Sequence, residues 1–208
     1  MKRLAILGAS GHGKVVAETA ELLGWSEVSF FDDAWPTVSH IEHWSVFGDS
    51  AALVDQLHAY DGVVVAIGDN ETREEKTRFL VEHQAPLVSL IHPAAVISRF
   101  AEIGNGSVVF ANVVVNAYAT VGIASILNTA CTVDHDCKIG DAVHISPGAN
   151  IAGSVQIGSR SWVGIGACIK QGVQVAENVV IGAGGVVLRD VASRLTVVGN
   201  PAKPYGSK

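Results

Sequence analysis

A chain of 208 residues carrying a net charge of −6 is long enough for one large domain or two small ones, and it holds no basic stripe with which to bind nucleic acid. No apolar run approaches the ~20 residues of a bilayer span, so membrane insertion is not expected, and the apolar core of the opening "MKRLAILGASGHG" is too short for a secretion signal. Three cysteines (Cys131, Cys137 and Cys168) are an odd number without such a signal, which speaks against a disulfide framework and for a cytoplasmic chain with reduced thiols.

Residues 1–88 read as β-α-β-α-β, a Rossmann-like α/β domain. "RLAIL" is a strand, "GASGHGK" a glycine-rich turn and "VVAETAELLG" a helix, followed by strands in "VSFFDD" and "GVVVAIGDN". Gly8, Gly11 and Gly13 follow G-x-x-G-x-G, which is not the dinucleotide fingerprint G-x-G-x-x-G. By itself the turn is equally a tight strand-to-helix connection. Amides at a helix start nevertheless suit a phosphate. Ser10, Gly11 and His12 in the turn, Asp32 and Asp33 after the second strand, and Gly68 after the third all fall at carboxyl strand ends, where α/β sheets bind ligands. So short a domain fits one nucleotide better than a dinucleotide and disfavours an NAD oxidoreductase. For His12, a satisfied turn residue competes with a ligand contact.

Residues 89–208 follow a different rule. From Ile91 to Val187 every sixth residue is Ile, Val or Leu, and four places after each stands a small or β-branched residue. One large and one small inward residue per six is the hexapeptide parallel β-helix, an all-β prism with three hexapeptides per coil. At about 4.8 Å between coils it should run roughly 25 Å. His135 lies two places after Val133, a position shared by Arg99, Asn105, Asp141, Gln171, Glu177 and Arg189, so it should point outward. His144 shares its position with Glu102, Lys138, Asn150 and Gln156 and should look outward too. Cys131 and Cys137 take the small inward position and read as core fillers, not metal ligands. The two histidines are half a coil apart and should sit on different sides of the prism, well over ~10 Å from each other. Only a neighbouring subunit could bring their copies together, and flat-sided prisms associate naturally in threes.

"GASGHGKVV", "FDD", "AIGDN", "ILNTACTVDHDCKIG", "HISPGANIAGSVQIG" and "VGNPAK" together resemble the sugar O- and N-acyltransferases of the sialic acid O-acetyltransferase and UDP-4-amino-sugar N-acetyltransferase type, over nearly the whole chain. The resemblance implies a left-handed β-helix, a homotrimer, acetyl-CoA as co-substrate without a metal, and a nucleotide-linked sugar held by the first domain. It makes His135 the general base, with Asp136 where the family carries Glu. Asn128 becomes a sugar contact. His144 and Gly153 come to the thioester and pantetheine, with Ile165, Gly182 and Ala183 farther along that arm. Ser10, Gly11 and His12 become the diphosphate cradle, and Asp32, Asp33 and Gly68 the nucleoside pocket. Trp162 reads better as subunit interface than as CoA platform, and Lys203 equally as a CoA-phosphate contact or a solvated lysine.

The chemistry suits these residues. An amine attacking a thioester sheds a proton, which an imidazole titrating near 6.5 can accept, and a carboxylate raises that basicity. The expected activity is N-acetylation of the 4-amino group of a UDP-linked amino-deoxy sugar; O-acetylation of sialic acid and a GDP-linked acceptor are the alternatives. A zinc enzyme on the same prism would need a third histidine, and only the distant His92 is at hand. A pure binding module would show a regular face such as a threonine ladder, and none is present.

Overall fold

The computed structural model describes residues 2–206; Met1, Ser207 and Lys208 of the expected domain ranges lie outside the described residues. The chain falls into two compact units divided between Pro93 and Ala94.

The first unit is built on three parallel strands, β1 (Arg3–Leu7), β2 (Glu27–Phe31) and β5 (Gly62–Val65), in the order β2-β1-β5. β1 lies at the centre and Leu4 to Leu7 are fully buried, as a strand covered on both faces must be. Helix α1 (Gly11–Leu22) follows β1 directly. Between β2 and β5 the chain forms a hairpin, β3 (His40–Ile41) with β4 (Trp44–Ser45), and helix α2 (Ser50–Asp55). After β5 comes α3 (Asn70–Glu82). The "GDN" that reads in sequence as a strand end is the start of this helix. Asp69 caps it, its carboxylate accepting from the Thr72 amide at 2.9 Å and hydroxyl at 2.8 Å. Phe31, Leu53, Tyr60 and Leu80 close the core under the sheet.

The second unit is the expected prism. Two-residue strands stack eighteen residues apart into parallel sheets, one per face. The first face holds Val96–Ile97, Val114–Val115, Thr132–Val133, Asn150–Ile151, Cys168–Ile169 and Val186–Val187. The second runs from Glu102–Ile103 through Lys138–Ile139 to Gln174–Val175. The third carries Val108–Val109, Ile126–Leu127, His144–Ile145, Trp162–Val163 and Val180–Ile181. The inward aliphatic residues are buried, apart from the half-buried Ile91, Ile97 and Ile103 at the start of the ladder. Each corner needs a residue in the left-handed region, and it recurs every sixth residue at Asn112, Tyr118, Ala124, Ala130, Asp136, Ala142, Gly148, Ser154 and Arg160. Past Val187 the period breaks. Thr196–Val198 still adds to the third face, and Lys203–Pro204 folds back antiparallel onto it, covering the open edge.

The small inward position does more than make room. The Ser125 hydroxyl accepts from the Val143 amide at 3.1 Å and donates to the Gly140 carbonyl at 3.0 Å, and Ser107 and Ser161 repeat the pattern in other coils. Ser125→Ala keeps the volume but strands a buried amide and carbonyl, so it should cost about 1–3 kcal/mol in urea unfolding.

Candidate functional site

The prism corner between the first and second faces carries His135. Its backbone is pinned from both neighbouring coils: the Asp136 amide donates to the Ala117 carbonyl at 3.1 Å, and the Ser154 amide to the His135 carbonyl at 2.9 Å. The imidazole is exposed, as the register implies. Its Nδ1–H donates to Asp136 at 2.7 Å, which leaves the Nε2 lone pair as the acceptor. The short Asp136 side chain reaches because its residue occupies the left-handed corner position, φ 58°. Asp134, which sequence reasoning passed over, accepts from the His135 amide and from Asn116 Nδ2, each at 2.8 Å. The Asp136 hydrogen bond, helped by the Asp134 charge, pushes the His135 pKa above the ordinary histidine value.

Gly153 sits one coil beyond His135, so it belongs beside this ring and not in the groove that holds the other expected cofactor contacts. A Cβ on it would lie 2.7 Å from His135 Nε2. The imidazole occupies the space where a side chain would be.

The third face holds the second histidine. His144 is buried, at 9% exposure, which corrects the expectation that it looks out to solvent. It does point away from the prism axis, but its ring is stacked on Trp162 at 5.2 Å between centroids and 14° between planes. Asn128 Nδ2 lies 3.2 Å from His144 Nε2. Trp162 is held in turn by its Nε1–H donating to Ser146 Oγ at 2.7 Å. An apolar groove of about 420 Å³ opens here, lined among others by His144, Pro147, Trp162, Ile165, Gly182 and Ala183. Four of the five expected cofactor contacts thus meet in one groove. Trp162, read in sequence as interface, is part of its wall. The cysteines fit their inward positions: Cys131 is buried with its thiol pushed up to about 12, and Cys137 donates to the Ala152 carbonyl.

In the first unit a cavity of about 280 Å³ is lined by Gly8, Ser10, Asp32, Asp33, Gly68, Thr72 and Lys76 among others. It gathers four of the six residues expected there. Gly8 is required: its φ is 118°, and a Cβ would stand 2.6 Å from the Ala66 carbonyl oxygen. The two aspartates are tied inward. Asp32 accepts from the Ala9 amide at 2.7 Å and the Ala34 amide at 2.9 Å, bracing the glycine turn. Asp33 pairs with Lys76 and accepts from the Ser50 amide and hydroxyl, and these bonds hold its carboxyl below the usual range against the effect of burial.

Gly11 and His12 do not line the cavity. Gly11 opens α1 in empty space. His12 has a buried Nε2, and burial together with the Arg73 charge lowers its pKa to about 4. Arg73 escaped the sequence reading altogether. Its fully buried guanidinium donates to the Ile67 carbonyl at 2.9 Å, the Gly68 carbonyl at 3.0 Å and Asn70 Oδ1 at 2.7 Å, fixing the turn that Gly68 belongs to. One of two arginines among the charges of "NETREEKTR", it gives no sign of burial in the sequence.

A two-unit chain of this kind, an α/β domain followed by a hexapeptide prism with an exposed His–Asp pair and an apolar groove, is the build of a sugar acyltransferase. Residues 3–80 match the family model described as the PglD N-terminal domain. Over nearly its full length the chain is similar to the acetyltransferase domain of PglB from Neisseria gonorrhoeae, at 42% identity, TM-score 0.92, with 98% of this chain and 100% of that one covered. It is similar also to a variant of perosamine N-acetyltransferase from Caulobacter crescentus, solved with CoA and GDP-perosamine, at 37% identity, TM-score 0.95 and coverage of 100% and 98%. A curated relative, UDP-N-acetylbacillosamine N-acetyltransferase of Bacillus subtilis, is 32% identical over 114 residues; that match spans 53% of this chain and about half, 52%, of the relative. The chain belongs to the family of hexapeptide-repeat sugar acetyltransferases that these proteins represent.

Two outcomes follow from the geometry. Gly153→Ala should turn the exposed His135 ring away from Asp136 at little cost in stability, within about 0.5 kcal/mol. An NMR titration would then show the His135 pKa falling back toward the ordinary value. His12 should stay neutral in the folded protein down to about pH 4, whereas the unfolded chain takes up its proton near 6.5. The unfolded state binds more protons in that window, so stability should fall as pH drops from 6.5 to 4. His12→Gln should flatten that fall in denaturation measured at several pH values.

Proposed function

We propose that this protein is an acetyl-CoA-dependent N-acetyltransferase acting on the amino group of a nucleotide-linked amino-deoxy sugar, with His135 as general base. The observation that carries the reading is the exposed imidazole whose Nδ1–H is engaged by Asp136 and whose Nε2 is left as the proton acceptor. The amine nitrogen attacks the thioester carbonyl carbon, the C–N bond forms as the C–S bond breaks, and the proton lost by nitrogen passes to His135 Nε2. CoA departs as a thiolate and is protonated in its turn. No covalent acyl-enzyme is needed, and the inward Cys131, with its raised pKa, is a poor nucleophile.

The apolar groove beside His144, Ile165, Gly182 and Ala183 suits the pantetheine arm of acetyl-CoA, while Gly153, at the His135 ring, suits the thioester end. The cavity of the first unit, at Ser10, Asp32, Asp33 and Gly68 with Lys76, suits the nucleoside diphosphate. His135, at the corner between the first and second faces, and His144, on the third face, lie on different sides of one prism. A cyclic homotrimer in which each site takes His135 from one copy and the groove from its neighbour would reunite them. A cytoplasmic setting, where both substrates are made, goes with this reading. UDP is the favoured nucleotide. The perosamine relative, solved with a GDP-linked sugar, keeps GDP as the second choice.

Acetyl-CoA turnover against a panel of UDP- and GDP-linked 4-aminosugars, with sialic acid as the hydroxyl control, tests the assignment. His135→Asn should fold normally and lose about 10²–10⁴-fold in kcat; near-normal kcat in the folded variant would remove His135 from the role of base. Co-refolding equal amounts of His135→Ala and His144→Ala chains should restore activity above both parents, since random assembly leaves about one shared site in four intact. Parents that are both impaired, with no gain on mixing, would refute the shared site.

A further inference from the structure

The tautomer of His144 can be read from its neighbours. The Thr129 amide donates to Asn128 Oδ1 at 2.8 Å. An amide N–H can donate only to the oxygen end of that side chain, so Nδ2 is the end facing His144. Nδ2 carries only hydrogens, and it lies 3.2 Å from His144 Nε2. Nε2 must therefore be the acceptor, and the ring proton sits on Nδ1. A doubly protonated ring would set an Nε2–H against an Nδ2–H, so this contact opposes charging.

The rest of the surroundings point the same way. Trp162 covers one ring face, with its own plane fixed by Ser146. Ile126 is the register partner in the preceding coil. Among the described residues, the groove that His144 lines is walled by uncharged side chains: Ser146, Pro147, Trp162, Ile165 and Val180 stand there with glycines, Ile181 and Ala183.

We infer that Asn128 is a positioning residue that locks His144 in the neutral Nδ1–H tautomer, with Trp162 fixing the plane of the ring. Asn128 thereby acts through His144 and is not a direct contact for the sugar. On the proposed acetyl transfer, on which this role rests, the two histidines divide the work. His135 moves the proton, and His144 contributes a fixed neutral dipole that neither gives nor takes one. His144 then contributes no ionisation of its own to the pH–rate profile.

Proton-coupled 15N NMR of the full-length protein labelled at histidine nitrogens reads the tautomer directly, with His144 assigned by the His144→Gln spectrum. The expected result is a protonated Nδ1 and a bare Nε2, unchanged from pH 5.5 to 9. Asn128→Asp replaces the donor by a carboxylate, so Nε2 should gain a proton and His144 should begin to titrate. Asn128→Ala, which removes the partner without adding charge, should let the Nε2–H form common in free imidazole appear. A wild-type His144 that carries its proton on Nε2, or that titrates between pH 6 and 7, overturns the inference, as does an unchanged His144 spectrum in both folded Asn128 variants. None of these readings needs turnover, so they stand even if the acetyl-transfer assignment fails. In the kinetic arm, an ionisation that moves with Asp136→Asn, in a profile that loses no ionisation in His144→Gln, supports the division of labour, and loss of an ionisation in His144→Gln refutes it.

Discussion

Each coil of the prism is joined to the next by backbone hydrogen bonds at a fixed offset of eighteen residues, and that offset decides what every outward side chain touches. It sets Gly153 against His135, Ser154 above Asp136, and Trp162 on His144. The inward aliphatic ladder supplies the stability, but it treats all corners and faces alike. Chemical individuality comes from columns of outward residues read eighteen apart. The His135 imidazole, the space for its ring and the residue holding its backbone are parts of one column or of adjacent ones.

The same offset explains what was legible in the sequence. The six-residue period carries the prism, the outward direction of His135 and the buried cysteines, because direction in or out depends on local register alone. Burial of an outward residue depends on its column as well. His144 shares its position in the hexapeptide with Glu102 and Lys138, which suggests exposure, but its column runs Ile126, His144, Trp162, Val180, an apolar stack in which a ring is covered. Reading by eighteen would have shown it. In the first unit no repeat helps. Asp32 and Asp33 stand at a strand end where ligand contacts are expected, yet their oxygens are used on Ala9, Ala34, Ser50 and Lys76, from segments distant in sequence. Arg73 is hidden for the same reason: only the fold closes the turn of Ile67 and Gly68 over it.

Position 136 meets two demands at once. Every sixth residue along the prism turns a corner in the left-handed region, which costs an ordinary L-residue of the order of 1–2 kcal/mol and which Asp tolerates better than most. The same residue also presents a carboxylate to Nδ1 of the neighbouring His135. An Asp in the left-handed conformation does both, with the oxygen 2.7 Å from the ring. A Glu would add reach and lose the fit of a short polar side chain to the corner. The strain of the turn and the orientation of the imidazole are therefore carried by one residue, and a substitution at 136 disturbs the backbone and the His135 ring together.

The two histidines show how one scaffold gives the same side chain opposite properties. At His135 a carboxylate accepts from Nδ1, a second carboxylate lies close by, and solvent surrounds the ring, so the charged form is favoured and Nε2 is basic. At His144 an amide donates to Nε2, an indole covers the face, and the neighbouring groove is apolar, so the ring is held in place. Both rings lean on residues of the next coil: for His135 the missing side chain of Gly153, for His144 the large one of Trp162. Exchanging glycine and tryptophan between those columns would close the space His135 needs and unroof His144. The choice of residue eighteen places on thus decides whether a histidine of this prism stands open to solvent or is covered.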